Sequence, residues 1–450
     1  MTPPKRQLGL IVAAAIVVAN MIGAGVFTGA GFQAAFTFKD PLTMVSTWIV
    51  GGVLALCGAA TYAELGSLMP RAGGEYVYLR EAYHPAVGFM SGWISLVVGF
   101  SAPIATAALL FASYVAAIAP GLGGTVTIKA IACCLILGMT LLHAIDTQVG
   151  GRVQTGFTIA KVLLISLFVI AGFVIGKGDW GHFASRDDGL SQIGTTAGAA
   201  NYATALVYVG FAYSGWNAAA YIAGEISKPQ RVLPRALLLG TGVVMILYLT
   251  LNIVFLYAVT PDQMAVDPFK QPVGDIAARA LFGAHAGDVL SSLIALALMS
   301  TVSAMMMAGP RVYATMAADH ALPSMLARYS RRGVPVAAVS AQCVLALAFA
   351  IAADADHLVR LIGFTLSLFA ALAVGSVFVF RARGQVAPFR TPGYPVTPIV
   401  FIAISLWAVY FGISAQPKLS LEIAGLLVVG SAIYVLTSRG KARTPIEADE

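Results

Sequence analysis

Two short stretches, Ile22-Gly-Ala-Gly-Val-Phe27 and Phe211-Ala-Tyr-Ser-Gly-Trp-Asn217, decide how this sequence folds. Each stretch places small residues, which let the backbone leave a helical conformation, in the middle of an apolar run that is long enough to cross a bilayer. Backbone groups that leave a helix inside lipid cost several kcal/mol each unless they find other partners. A break at such a point is therefore expected only where the backbone lines a cavity or binds something.

The rest of the chain has the composition of a membrane protein. Of its 450 residues, 59% are hydrophobic and only 10% are charged, whereas soluble domains have about 25% charged residues. We predict an all-α membrane protein with about twelve transmembrane helices. The predicted spans are 9–32, 42–69, 86–118, 124–143, 153–176, 197–222, 236–259, 286–308, 335–353, 358–380, 396–414 and 419–437. The stretch that follows the eighth span, 309–334, is amphipathic enough to lie along the membrane surface.

The positions of the basic residues predict an orientation. Most Lys and Arg residues outside the spans fall in loops on the same side as Lys5 and Arg6, and such loops are typically cytoplasmic. We therefore expect a multi-pass protein of the inner (cytoplasmic) membrane, with a cytoplasmic N-terminus at 1–8 and a cytoplasmic tail at 438–450. The same distribution explains the net charge of +7, so we expect a lipid bilayer and not a nucleic acid as the partner.

The two stretches together predict a site for a zwitterion. Free amides at the start of a half-helix attract a carboxylate, and free carbonyls at the end of one attract an ammonium group. An α-amino acid carries both charges on one carbon. The alternative is that small residues only allow close helix packing, since the chain has 46 glycines. Two breaks carry more weight because they begin two five-helix sets, 9–176 and 197–380, which is typical of transporters with inverted repeats. Residues 396–437 would then form two additional helices.

Several motifs together resemble the amino acid–polyamine–organocation (APC) superfamily, and most closely its L-type amino-acid transporter branch. The family's first-helix motif is usually Gly-Ser-Gly-Ile-Phe, and here Ala24 replaces the serine. The motifs that carry the resemblance are Gly23-Ala-Gly-Val-Phe27, Pro70-Arg-Ala-Gly-Gly-Glu-Tyr-Val-Tyr78, Arg152-Val-Gln-Thr-Gly-Phe-Thr-Ile-Ala-Lys161, Phe211 to Asn217 with Glu225-Ile-Ser-Lys-Pro-Gln-Arg231, and Arg311 through Pro323.

This resemblance implies a LeuT-like fold of five plus five helices in an inverted repeat, with helices 1 and 6 broken. It implies substrate binding by the two breaks, with Phe211 as the aromatic residue that covers the substrate and backbone amides in place of the missing serine hydroxyl. Animal L-type members are tethered to a glycoprotein through a cysteine that the corresponding loop, 120–126, lacks, so we expect no disulfide-linked heavy chain. The implied substrate-binding residues are Ile22, Gly23, Ala24, Gly25, Phe211, Ala212, Tyr213 and Ser214.

Lys161 is a candidate for coupling or gating because charged groups deep in a membrane usually face the bundle interior and serve function. By resemblance it takes the place of a second sodium ion, which would make transport sodium-independent. Burial disfavours the charged form, so the lysine is also a candidate for binding and releasing a proton. The structural alternative is a lysine that bonds free carbonyls of the broken first helix. Ser300, Thr301 and Ser303 are candidates because, by resemblance, they face the lysine. They are weaker ones because Ser and Thr hydroxyls in spans more often bond carbonyls of their own helix.

The predicted function is secondary active transport of amino acids by alternating access, either as proton symport or as exchange. No Asp or Glu falls in the middle of spans one, three, six, eight or ten, which favours neutral substrates. A cationic amino-acid or polyamine exchanger, a transporter-fold nutrient sensor and a channel are the alternatives. We find no catalytic or metal-ligand pattern and expect neither an enzyme nor a cofactor. The histidines, His143 among them, are expected at the surface.

Overall fold

The structure is a computed structural model that describes residues 8–145, 147–184, 189–266, 271–319, 321–353, 355–415 and 417–438. Within these ranges the chain is helical, apart from turns and one isolated β-bridge. The eighteen α-helices are α1 (Leu10–Met21), α2 (Ala24–Phe36), α3 (Pro41–Leu68), α4 (Glu75–Ala82), α5 (Pro85–Ile94), α6 (Ser101–Ile118), α7 (Thr125–Ile145), α8 (Thr147–Val174), α9 (Thr196–Tyr213), α10 (Ala218–Tyr221), α11 (Pro229–Ala258), α12 (Pro261–Met264), α13 (Val273–Phe282), α14 (Ala284–Ala318), α15 (Val336–Ala352), α16 (Ala355–Ala382), α17 (Val396–Ala415) and α18 (Pro417–Ser438).

Local sequence signals fix several helix ends. Asp40 caps α3, because its carboxylate accepts a hydrogen bond from the Thr43 amide at 2.8 Å and Pro41 stands at the first helical position. Thr195 caps α9 in the same way by accepting a bond from the Gly198 amide. Helices α3 and α9 thus begin where a side-chain oxygen satisfies one of the free amides.

Nine helical segments in the described part of the chain are long and apolar enough to cross a membrane, and two shorter apolar helices lie at Val336–Ala352 and Val396–Phe411. Two of the nine segments each contain more than one element. One consists of α1 and α2, and the other, Pro85–Ile118, contains α5 and α6. The interrupted pair α9 and α10 occupies the place of the predicted sixth span. This is a multi-pass membrane protein, while the count of twelve spans and the inverted repeat stay predictions.

One prediction was wrong: the chain after the eighth span does not turn along the membrane surface at residue 309. Helix α14 continues without a break to Ala318, and most of its last turns are buried. Pro310 lacks an amide, yet the helix continues past it, and the Arg311 side chain donates to the Met307 carbonyl of the same turn. At 35 residues the helix is about 52 Å long, so its end projects beyond the hydrocarbon core.

Ion pairs and one backbone bridge join distant segments on the side of the membrane where the chain begins. Leu8 donates its amide to the Glu225 carbonyl at 3.0 Å and accepts a bond from the Ser227 amide at 2.9 Å. The ion pairs are Glu64 with Arg381 at 2.7 Å, Glu225 with Arg311 at 2.6 Å, and Asp319 with both Arg71 and Arg80. Glu64 and Glu225 thus serve as salt-bridge partners of arginines that are distant in the chain.

Candidate functional site

The first predicted break is present, and charge and hydroxyl groups satisfy the backbone that it frees. Helix α1 ends at Met21, α2 begins at Ala24, and Gly23 between them is extended. The Lys161 ammonium, which is 1% exposed, donates to the Ala19 carbonyl at 2.8 Å and the Ile22 carbonyl at 2.7 Å. A cation at the carboxyl end of a half-helix also complements the helix dipole.

Tyr248 connects the two breaks, and nothing in the sequence pattern singles it out. Its hydroxyl lies 2.5 Å from the Met21 carbonyl and 3.1 Å from the Ala212 carbonyl, so one α11 side chain contacts the ends of both α1 and α9. A hydroxyl has one proton to donate and is shared between these carbonyls. Its position fixes the spacing of the two half-helix ends.

We expect Tyr248→Phe to lower the stability of the folded protein by about 1–3 kcal/mol, because a buried carbonyl would lose its donor. The measurement is thermal unfolding of the purified protein in detergent. Tyr410→Phe is the control, since Tyr410 is 67% exposed and its loss should leave the unfolding temperature unchanged. Equal unfolding temperatures for Tyr248→Phe and the unaltered protein would contradict this role.

The second predicted break is also present and borders a cavity of about 110 Å³. Helix α9 ends at Tyr213, Gly215 adopts a φ of 95°, and α10 starts at Ala218. Roughly 10–15 Å³ suffices for one water molecule, so the cavity accommodates a small polar ligand. Its lining includes Phe211, Tyr213, Ser214, Gly215, Trp216 and Asn217 from the broken helix, together with Ser95, Phe100, Tyr221, Phe401 and Ser405.

A wider helical turn, Ser95–Phe100, supplies part of the opposite wall. Such π-type turns interrupt the regular hydrogen-bond ladder and often occur at functional sites. Here the turn lies within the predicted third span and contributes Ser95, Gly99 and Phe100 to the cavity. No residue pattern in this span indicated the distortion.

The structure separates the predicted binding residues into two groups. Phe211, Tyr213 and Ser214 line the cavity. The others, Ile22, Gly23, Ala24, Gly25 and Ala212, do not, because the broken helices touch there: a Cβ atom added to Gly25 would lie 2.3 Å from the Ala212 Cα.

The predicted coupling residues also divide. Thr301 shares the Ile22 carbonyl with Lys161, donating at 3.1 Å. Ser300 is buried on the same helix. Ser303 instead lies 2.8 Å from the Nε2 atom of His143. The expectation that His143 is a surface residue was therefore wrong, since α7 packs against α14 and α15 and buries the ring.

Glu75 is a cavity residue that the sequence did not reveal as one. It begins α4, outside the spans, yet it is 4% exposed and is the one charged residue in the described cavity lining. A glutamate between two predicted spans suggests a solvated loop, so only the folded arrangement places it here.

Comparison with known proteins assigns the chain to a family. The amino acid permease model matches residues 8–435, nearly the whole chain. The chain belongs to the amino acid permease family. Its predicted place in the APC superfamily is thereby confirmed, as is the prediction that it is a transporter and not an enzyme.

Individual permeases agree with this assignment. The chain is 30% identical to the serine/threonine exchanger SteT of Bacillus subtilis (strain 168), over 90% of each chain. It is 28% identical to the b(0,+)-type amino acid transporter 1 of Mus musculus, over 96% of this chain and 88% of the relative. It is 27% identical to the large neutral amino acids transporter small subunit 2 of Homo sapiens, over 96% of this chain and 80% of the relative.

Proposed function

We propose that this permease exchanges neutral amino acids across the inner membrane by alternating access and without sodium. Both termini would be cytoplasmic, which agrees with the placement of the basic residues in the loops. The two breaks would move with the gating helices of a LeuT-like inverted repeat. Four cysteines lie outside the 120–126 loop, which supports a protein that acts without a disulfide-linked heavy chain.

The observation that carries sodium independence is the contact of Lys161 with the end of α1. Its ammonium group binds two carbonyls that the break releases. A small bound cation would make the same kind of contact, so a fixed lysine can replace it electrostatically. No gradient of that cation would then be needed to hold the half-helix in place.

The cavity lining supports a neutral substrate. Phe211 and Trp216 offer apolar surface, and Ser214 offers a small hydroxyl beside the break. The carboxyl group of Glu75 already accepts hydrogen bonds from Tyr62 and Asn217. The names of the relatives agree with this class, since they include a serine/threonine exchanger and a large neutral amino acid transporter.

Uptake of labelled amino acids into proteoliposomes tests the proposal. We expect uptake of serine, threonine and larger neutral amino acids to be strongly accelerated when the liposomes contain an unlabelled substrate. Replacing sodium by choline on both sides should leave the rate unchanged. Empty liposomes and liposomes with a Lys161→Ala variant are the controls.

The same measurement separates the alternatives. Uptake that needs a proton gradient and no internal substrate would indicate proton symport. Uptake restricted to lysine, arginine or polyamines would assign the cationic class, and binding without uptake would indicate a sensor. Strict dependence on a sodium gradient would refute the role given to Lys161.

A further inference from the structure

Two glycines bring Glu75 into contact with the second half of the broken helix. Gly73 and Gly74 have φ angles of 117° and 51°, which favour glycine. A Cβ atom on Gly74 would lie 2.6 Å from the Tyr221 ring, so a larger residue would push α4 away from α10. The Gly73 amide also donates to the Tyr221 carbonyl at 3.2 Å. The start of α4 is therefore built to hold α10.

The Glu75 carboxyl group makes the side-chain part of this connection. Its Oε1 atom accepts hydrogen bonds from the Tyr62 hydroxyl at 2.7 Å and from the Asn217 Nδ2 group at 2.8 Å. Asn217 Nδ2 also donates to the Tyr221 hydroxyl at 2.9 Å. One carboxyl group thus joins α3, α4 and the turn that begins α10.

No cationic side chain offsets the charge of this carboxyl group within the described residues. The titratable groups that face it are tyrosines: Tyr62 from α3, Tyr221 from α10 and Tyr78 from its own helix. The Tyr78 hydroxyl is buried and finds no hydrogen-bond partner among the residues that the structure describes. An ionised Glu75 would thus be a buried, unpaired charge, which is costly.

The nearby arginines bind groups other than the Glu75 carboxyl group. Arg80, on the same helix, binds Asp319 at the end of α14. Arg383, which follows α16, donates to the carbonyls of Glu81 and Ala82 at the other end of α4, both at 2.7 Å. Burial raises the pKa of Glu75 above its usual value, and the hydrogen bonds from Tyr62, Asn217 and Tyr221 oppose that rise only in part.

Building on the proposed transport function, we propose that Glu75 is a proton-binding site that holds α10 against α4. With the proton bound, the buried carboxyl group is neutral and the contact with Asn217 is stable. When the proton leaves toward the side of the membrane on which the chain begins, the carboxylate gains by contact with water. Movement of α10 away from α4 admits that water, so deprotonation favours release of α10.

The direction of the pH effect follows from the raised pKa. In the closed arrangement, with α10 against α4, the pKa of the Glu75 carboxyl group is higher than in water. The bound proton therefore stabilises this arrangement, and the stabilisation is lost as the pH rises. The closed structure should therefore unfold at lower temperature as the pH increases above the ordinary range for glutamate. Exchange that is limited by release of α10 should become faster over the same range.

Glu75→Gln tests the proposal because glutamine keeps an acceptor for Tyr62 and Asn217 and is neutral at every pH. We would measure amino-acid exchange in proteoliposomes with equal pH on both sides, and thermal unfolding in detergent, between about pH 5 and pH 8. Exchange by the unaltered protein should rise several-fold with pH, whereas the variant should stay near the low-pH rate. Glu81→Gln, an exposed carboxylate on the same helix, should behave like the unaltered protein.

Four outcomes separate the possibilities. Loss of the pH dependence of unfolding in Glu75→Gln, and not in Glu81→Gln, supports the proton site. This holds even if neither the variant nor the unaltered protein transports amino acids. Absence of transport by the unaltered protein would refute the proposed function only. Parallel pH curves for Glu75→Gln and the unaltered protein would overturn the proton site. Selective loss of lysine and arginine exchange, with unchanged unfolding curves, would assign the carboxylate to substrate recognition and also overturn it. An infrared band of a protonated carboxylic acid that disappears in Glu75→Gln would support it directly.

Discussion

Replacing Lys161 by alanine is expected to reduce amino-acid exchange at least ~100-fold. The variant removes two charge-assisted hydrogen bonds at the end of α1, each contributing about 1.5–3 kcal/mol. The combined loss of about 3–6 kcal/mol corresponds to at least two factors of ten, at roughly 1.4 kcal/mol for each. Exchange should be measured in proteoliposomes at equal protein content.

The matched control for this variant is Lys129→Ala. Lys129 also donates to a backbone carbonyl, that of Ile351 at 2.6 Å, but it does so at an exposed position away from both breaks. We expect its loss to change exchange less than two- to threefold, since exposed interactions contribute about 1 kcal/mol or less. Full activity of Lys161→Ala would show that the lysine is dispensable and remove the basis for sodium independence.

Gly25→Ala is expected to destabilise the folded protein and to slow exchange. The added methyl group would meet the backbone of Ala212, with its Cβ 2.3 Å from the Ala212 Cα, and backbone atoms cannot rotate away. Overpacking of this kind costs typically about 1–3 kcal/mol and more where the neighbour cannot yield. We expect at least a tenfold loss of exchange together with a lower unfolding temperature.

Gly242→Ala is the control for that substitution. Gly242 lies in α11, where an added Cβ atom would meet nothing within 4 Å. It should therefore leave both exchange and unfolding temperature close to those of the unaltered protein, because alanine is favourable in a helix. If Gly25→Ala behaved like Gly242→Ala, the close contact between the two broken helices would not be required for activity.

The features that could be predicted from the sequence are those with a strong local cause. Small residues in mid-membrane predicted the two breaks, which lie at residues 22–23 and 214–217. The lengths of the apolar runs predicted the positions of the main helices. Lys161 could be singled out because a charge at that depth needs a partner. The structure adds that its partners are the Ala19 and Ile22 carbonyls, which the structural alternative expected, while a coupling role stays a proposal.

The features that could not be predicted depend on how distant elements pack. Tyr248 is one of many aromatic residues in apolar runs, and only the placement of α11 between two half-helices makes it a bridge. Glu75 follows a glycine turn whose sequence is typical of a solvated loop, but the fold buries the Glu75 side chain. The continuation of α14 past Pro310 places Arg311 against Glu225, which is 86 residues away in the chain.

The backbone bridge at Leu8 links two helices that the proposed transport cycle would move. Leu8 precedes α1 and forms two main-chain hydrogen bonds with the segment after α10. These bonds connect α1 to α10. A tilt of either α1 or α10 would be transmitted to the other helix through these backbone bonds. A bulky fusion placed directly before Leu8 is therefore expected to loosen the packing of α1 and α10 together.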